Sequence, residues 1–145
     1  MIRNVCYKDL EALLKLESIC FESDLLNRRS FIRWIKVKHR IFRVIVLNET
    51  VVGYGLVILR RASCAARLYS IALAPEIRGK GLAQKLLKDL ESQAAIENRQ
   101  IMRLEVSKKN QAAIALYQKN GYQIFKELPN YYQDHSDGWR MSKKI

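Results

Sequence analysis

Residues 74–95 read "APEIRGKGLAQKLLKDLESQAA", two glycines and two bases set immediately ahead of an amphipathic helix. A helix N-terminus already carries unpaired N–H groups and about half a positive charge. Arg78 and Lys80 add to that charge instead of neutralising it, an arrangement suited to an anion. Gly79 and Gly81 lack a Cβ, so backbone N–H groups from Gly79, Lys80, Gly81, Leu82, Ala83 and Gln84 can converge on one. The turn is neither a Walker loop, "GxxxxGK[ST]", nor a dinucleotide turn, "GxGxxG". By itself the hexapeptide is equally compatible with a plain turn whose bases are solvated.

Working outward, Leu82, Leu86, Leu87 and Leu90 give the helix its buried face. "ARLYSIALAP" before it is an apolar run of the strand type, closed by Pro75. "IMRLEVS" after it alternates, as a strand does. A right-handed crossover then sets "LYSIALA" and "IMRLEVS" side by side and parallel, so a ligand at the helix start runs between their C-terminal ends. "IFRVIVLNETVVGYGLVILRR" is a hairpin turning at "NET". At the front, "MIRNVCY" is a short strand and "DLEALLKLESICF" a helix with Leu10, Leu13, Leu14 and Cys20 near one face. "SDLLNRRSFIRWIKVKHR" is a loop and a second helix, with Ser30 as its expected cap. "NQAAIALYQKNGY" is a short helix capped by Asn110 and stopped at Gly121; "YQIFKEL" and "WRMSKKI" are closing strands. The order β-α-α-β-β-β-α-β-α-β-β predicts one α/β (α+β) domain over residues 1–145. Its sheet is mixed, with helices on both faces.

The 145 residues are 49% hydrophobic and 28% charged, an ordinary globular composition. No apolar run approaches the roughly 20 residues of a membrane span. "MIRNVCYKDLEALLKLE" has acids and an amphipathic pattern where a secretory signal has a continuous apolar stretch. The expectation is a cytoplasmic protein with no membrane association. Cys6, Cys20 and Cys64 lie far apart with no paired metal spacing, which predicts buried or incidental free thiols and no bound metal. Twenty-six Lys and Arg against 14 Asp and Glu leave a net charge of +12. That charge favours an anionic partner: nucleic acid, ribosome, acidic peptide or a phosphorylated cofactor.

"RGKGLA" matches the [QR]-x-x-G-x-[GA] signature of GNAT-superfamily acetyltransferases, where it holds the acetyl-CoA pyrophosphate. "YSIALAPEIRGKGLAQKLL", "LEVSKKNQAAIALYQKNGY" and "YYQDHSDGWRM" resemble, in order and spacing, the ribosomal-protein alanine N-acetyltransferase (RimI-like) branch. The good match runs from about residue 51 onward. The resemblance implies a mostly antiparallel sheet whose central parallel pair splays apart, and acetyl-CoA (coenzyme A) lying on the helix start. It implies direct transfer to an amine, most naturally a protein N-terminus. A small amine or a lysine side chain remains an alternative acceptor. A non-catalytic ribosome- or nucleic-acid-binding module on the same fold is the alternative function, although the aromatic–basic interleaving of single-strand binders is missing and no specific nucleic-acid partner is expected.

Acyl transfer to an amine requires a deprotonated nucleophile, a polarised carbonyl and a proton for the leaving thiolate. By the resemblance, Ile71, Ala72 and Leu73 hydrogen-bond the pantetheine arm and polarise the carbonyl. Glu105 takes the place of the general base, and Tyr117 that of the proton donor to the thiolate. Asn110 both caps its helix and contacts the cofactor, and Tyr131 and Tyr132 line the acceptor mouth. The plainer readings are a solvent-facing strand Glu paired with a Lys, and a core Tyr at helical spacing with Ile114. "NYYQDHSDGW" has His135 where the family has Gly, and "ESDLLNRRSF" lacks the usual Pro-Trp; both departures bear on the acceptor.

Overall fold

The computed structural model describes residues 1–145. The chain opens with strand β1 (Ile2–Asn4), a 3₁₀ turn, helix α1 (Leu10–Cys20) and helix α2 (Arg28–Lys36). The antiparallel strands β2 (Arg40–Leu47), β3 (Thr50–Leu59) and β4 (Ala65–Leu73) follow. Then come α3 (Leu82–Ile96), β5 (Ile101–Ser107), α4 (Gln111–Lys119), β6 (Gln123–Leu128) and β7 (Gly138–Lys144). All seven strands form one sheet, in the order β1-β2-β3-β4-β5-β7-β6, with β4–β5 its parallel pair. The two residues between β2 and β3, Asn48 and Glu49, both have positive φ, 49° and 64°. That is the backbone a two-residue hairpin needs to match strand twist.

Neighbouring residues of β3 define the layers, because successive side chains point to opposite faces. Tyr54 packs edge-on against Phe31 of α2, ring centroids 5.7 Å apart, and donates its hydroxyl proton to Glu17 of α1. Gly55 faces Leu90 of α3 so closely that an added Cβ would lie 2.5 Å from Leu90 Cδ1. Helices α1 and α2 therefore cover one face and α3 the other. Helix α4 joins α3 through Tyr117, which meets Tyr122 edge-on with ring centroids 5.7 Å apart; the Tyr122 hydroxyl donates to Glu91 at 2.7 Å. Fully buried Leu13, Phe31, Phe42, Leu56, Leu86, Leu87 and Leu90 fill both layers. Burying each such side chain contributes about 1.5–3 kcal/mol relative to exposure.

Local details differ from the sequence expectations. The cap of α2 is Asn27, whose side chain accepts the Ser30 N–H; Ser30 is the donor, three residues into the motif. The buried face of α1 is Leu10, Leu13, Leu16 and Glu17, with Leu14 and Cys20 only half-buried. Leu82 is half-exposed because it sits in the first turn of α3, before the helix reaches the sheet. The three thiols are free, as expected; Cys20 is half-buried and Cys6 and Cys64 are exposed.

The feature that creates the site is a fork. Strands β4 and β5 pair from Ala65↔Ile101 to Leu68↔Leu104 and no further. Beyond that rung β4 stays with β3 up to Leu73, and β5 with β7 up to Ser107. Leu56 pairs with Ser70 and Val57 with Leu68, leaving Tyr69 as an extra residue in β4. Such a bulge bends its strand, and here it turns β4 away from β5.

Candidate active site

The fork opens into a cleft of about 820 Å³, walled by β4 and β5 and by the end of α1, the start of α4 and the β6–β7 loop. On the β4 wall, Ala74 donates its N–H to Val52 O at 2.8 Å. Antiparallel alternation then turns the backbone of Ala72 toward β3 and that of Ile71 and Leu73 into the fork. Of the three backbone groups expected there, Ala72 is thus committed to the sheet. Leu73 O accepts from Arg78 Nε at 3.1 Å and from the Cys20 thiol at 3.3 Å.

At the foot of the fork, the six consecutive N–H groups from Gly79 to Gln84 donate no hydrogen bond within the protein. The first that does is Lys85, to Gly81 O at 3.2 Å. Gly79 and Gly81 have φ of +79° and +78°, and the space where a Cβ would stand is open within 4 Å. A row of bare donors at a helix N-terminus is suited to holding an anion such as phosphate. Lys80 stays exposed beside it, whereas Arg78 folds back on Leu73 and ties the end of β4 to the turn. Leu82, Ala83 and Gln84 form the half-exposed first turn of α3.

Glu105 lies one residue past the last paired rung, with its side chain 7% exposed. Arg67 Nε and Nη2 stand 2.8 and 2.7 Å from Oε1, and Arg140 Nε 3.0 Å from Oε2. It is neither solvent-facing nor paired with a lysine; two arginines clamp it at the fork. Tyr117 reaches the cleft from α4, and burial alone pushes its phenol far above the usual range, with no hydrogen-bond partner in the protein. Asn110 Oδ1 accepts the Ala113 N–H at 3.1 Å as the cap of α4, and Asn110 also lines the cleft. Tyr131 and Tyr132 form an edge-to-face pair, centroids 4.9 Å apart, at the mouth. Tyr132 packs on Gly138, where a Cβ would come within 3.0 Å of its ring. His135, in the slot where Gly is usual, takes the left-handed conformation (φ 66°) and is exposed.

Several groups in the cleft or behind its wall were not legible in the sequence. Arg67 and Arg140 meet Glu105 only through strand register. Glu17 had a signal: it stands seven residues after Leu10, an acid on the apolar face of α1.

The bare helix start fits a pyrophosphate, and the fork with its free strand edge fits an extended thioester arm. Together they define an acetyl-CoA-dependent N-acetyltransferase. Residues 8–122 match the acetyltransferase (GNAT) family, and the chain belongs to it. It is 32% identical over 145 residues to an uncharacterised N-acetyltransferase of Methanocaldococcus jannaschii, covering 99% of this chain and 91% of that one. An N-alpha-acetyltransferase of Saccharolobus solfataricus is 28% identical over 155 residues, covering 99% and 92%. A putative ribosomal protein bS18-alanine N-acetyltransferase of Bacillus subtilis is 26% identical over 137 residues, covering 94% and 89%. The fold superposes on the ribosomal-protein-S18-alanine N-acetyltransferase of Escherichia coli with a TM-score of 0.89, 24% identity and coverage of 100% and 93%. The RimI-like resemblance read from the three sequence blocks therefore holds. No helix is long and apolar enough to cross a membrane.

Proposed function

We propose that residues 1–145 act as one N-acetyltransferase domain that acetylates the α-amine of a protein or peptide N-terminus. The observation that carries this reading is the fork, which brings Glu105, Tyr117 and Ile71 to one cleft, with Leu73 continuing the same edge of β4 beyond it. The relatives named for N-terminal and ribosomal-protein alanine acetylation support an α-amine acceptor. So does the mouth of the cleft. Asp24 N–H donates to Gln133 Oε1 at 2.8 Å, and Gln133 N–H donates to Asp24 Oδ2 at 3.3 Å, joining the two flanking loops. A mouth closed in this way suits a chain end better than a loop running through. The cleft lining also carries Glu17, Glu22, Asp24, Glu105 and Asp134 against only Arg67 and Lys109. Within a chain of net charge +12, this local acid excess draws an ammonium group inward.

Acetyl-CoA supplies an activated acyl thioester. The N–H groups of Gly79 to Gln84 hold its pyrophosphate, with Lys80 adding charge at the rim. The free backbone edge at Ile71 and Leu73 orients the pantetheine arm, and the Ile71 N–H stabilises charge developing on the acyl oxygen. Glu105 attracts the ammonium and takes its proton through water at Oε2, the oxygen with a lone pair to spare. Tyr117, kept protonated by burial, gives its proton to the departing thiolate. Transfer is direct, with no acyl-enzyme.

Mass spectrometry of a peptide and amine panel incubated with acetyl-CoA and enzyme tests this reading. Label on N-terminal α-amines is the expected result; label confined to lysine ε-amines or small amines overturns it.

A further inference from the structure

Glu17 is 2% exposed, yet it borders the cleft, and no cation pairs with it. Its Oε1 accepts the Tyr54 hydroxyl at 2.6 Å and its Oε2 accepts the Leu26 N–H at 2.7 Å. Tyr54 stands in turn 2.7 Å from Ser70 Oγ. Ser70 is the first residue after the bulge that opens the fork, on the cleft wall beside Ile71. The chain of hydrogen bonds has a direction. Tyr54 owns one proton and gives it to Glu17, so Ser70 must be the donor to Tyr54. Ser70 therefore offers lone pairs, not its proton, to the cleft. It is a built acceptor for an N–H on the cleft wall.

The other carboxylate, Glu105, can act at one oxygen only. Oε1 of Glu105 is taken by two nitrogens of Arg67, and Oε2 shares its lone pairs with Arg140. We propose that Ser70, Tyr54 and Glu17 form a second proton route for acetyl transfer, running from the acceptor amine to Glu17. The amine N–H bond breaks as its proton joins Ser70 Oγ. The Ser70 proton passes to the Tyr54 oxygen, and the Tyr54 proton to Glu17 Oε1. The net change is ammonium to amine and carboxylate to carboxylic acid, with no other reactant. The route resets when Glu17 returns the proton outward along the same bonds.

The environment of Glu17 suits a terminal acceptor. Burial holds its carboxyl above the usual range, outweighing the opposing hydrogen bonds from Leu26 and Tyr54. Burial also raises the Tyr54 phenol, so Tyr54 relays a proton without ionising. The titratable groups around Glu17 are Tyr54 from β3 and Cys20 on α1 itself, with Arg78 and Glu76 lying beyond Cys20. Helix α2 presents Phe31, and β4 presents Ser70.

This inference rests on acetyl transfer to an amine and is independent of the role given to Glu105. The test uses Ser70→Ala, Ser70→Thr, Tyr54→Phe and the Ser70→Ala/Tyr54→Phe pair, with Glu105→Gln in parallel. Each is assayed across pH with acetyl-CoA and the peptide acetylated best by the wild type. Ser70→Ala and Tyr54→Phe should each lower kcat about 10- to 100-fold at neutral pH, within the span of general acid–base effects. Acetyl-CoA affinity should not change, and the deficit should shrink as the amine deprotonates at higher pH. The double variant should be no slower than the worse single, because one relay is lost once. Ser70→Thr should restore most of the rate. Wild-type kcat and pH profile in Ser70→Ala overturn the relay, as does a loss confined to acetyl-CoA binding or one that Ser70→Thr does not relieve. If Tyr54→Phe fails to fold, the Ser70 pair of variants decides alone. Slow Ser70→Ala beside fully active Glu105→Gln keeps the relay and removes Glu105 as base; the reverse pattern does the opposite.

Discussion

Arg67 holds Glu105 across the last rung before β4 and β5 part, with guanidinium nitrogens 2.7 and 2.8 Å from Oε1. The pair sits at the crotch of the fork, where a carboxylate borders the cleft yet cannot swing away. Arg140, its cross-strand partner on β7, fixes the second oxygen. A carboxylate held at both oxygens has a defined position on the cleft wall.

Glu105→Gln keeps the shape of the side chain and removes its charge. Turnover should fall by about 10²–10⁴-fold at neutral pH. Acetyl-CoA binding, measured by calorimetry, should stay near normal. The deficit should narrow as pH rises, because more of the acceptor amine is then already neutral. Near-wild-type turnover at neutral pH would leave Glu105 a structural member of the fork.

Gly81 has φ of +78°, where side-chain-bearing residues are strained, and its N–H belongs to the bare row at the helix start. Gly81→Val should cost about 1–3 kcal/mol of stability through that strain. It should also weaken the rise in Tm that acetyl-CoA produces by mass action. Thermal melts with and without acetyl-CoA separate the two effects. An unchanged ligand-induced shift would move the pyrophosphate elsewhere.

The Tyr117 hydroxyl has no hydrogen-bond partner in the protein, so Tyr117→Phe should leave Tm nearly unchanged while slowing turnover about 10²-fold or more. The deficit should shrink with an acyl donor whose thiolate is a better leaving group. It should persist at high pH, unlike that of Glu105→Gln. Because burial raises the phenol, the wild-type rate should show no loss from Tyr117 ionisation up to about pH 10, its ordinary value.

Asp9 ties the first turn to β1: its oxygens accept two bonds from Arg3 at 2.9 Å and the Cys6 N–H at 2.8 Å. Burial alone would raise this carboxyl, but the Arg3 and Cys6 bonds prevail and hold it below 3.8. A carboxyl depressed in the folded state contributes stability above its unfolded value, and that stability is lost as pH falls through the folded one. Asp9→Asn should therefore cost about 1–3 kcal/mol at pH 7 and progressively less below about pH 4. Urea melts at both pH values read the difference; an equal cost at both would mean that the charge of Asp9 is irrelevant.

The sequence by itself determined the features governed by neighbours a few residues apart. Element order, the glycine turn of residues 79–81, the Asn110 cap and the parallel placement of β4 and β5 were all legible, because turn chemistry, capping and periodicity act locally. The RimI-like blocks were legible for the same reason, being short contiguous motifs. What only the tertiary structure decided depends on register between strands far apart in sequence. The extra residue at Tyr69 is visible only against β3, and it commits the backbone of Ala72 to the sheet while freeing Ile71 and Leu73. Arg67 and Arg140 reach Glu105 across separations of 38 and 35 residues, and Tyr54 reaches Glu17 across 37. Charge and hydrogen-bond partners inside a cleft are chosen by packing in three dimensions. A one-dimensional pattern marks Glu17 as an acid on an apolar face but gives no sign of the Tyr54 and Ser70 hydroxyls that complete it.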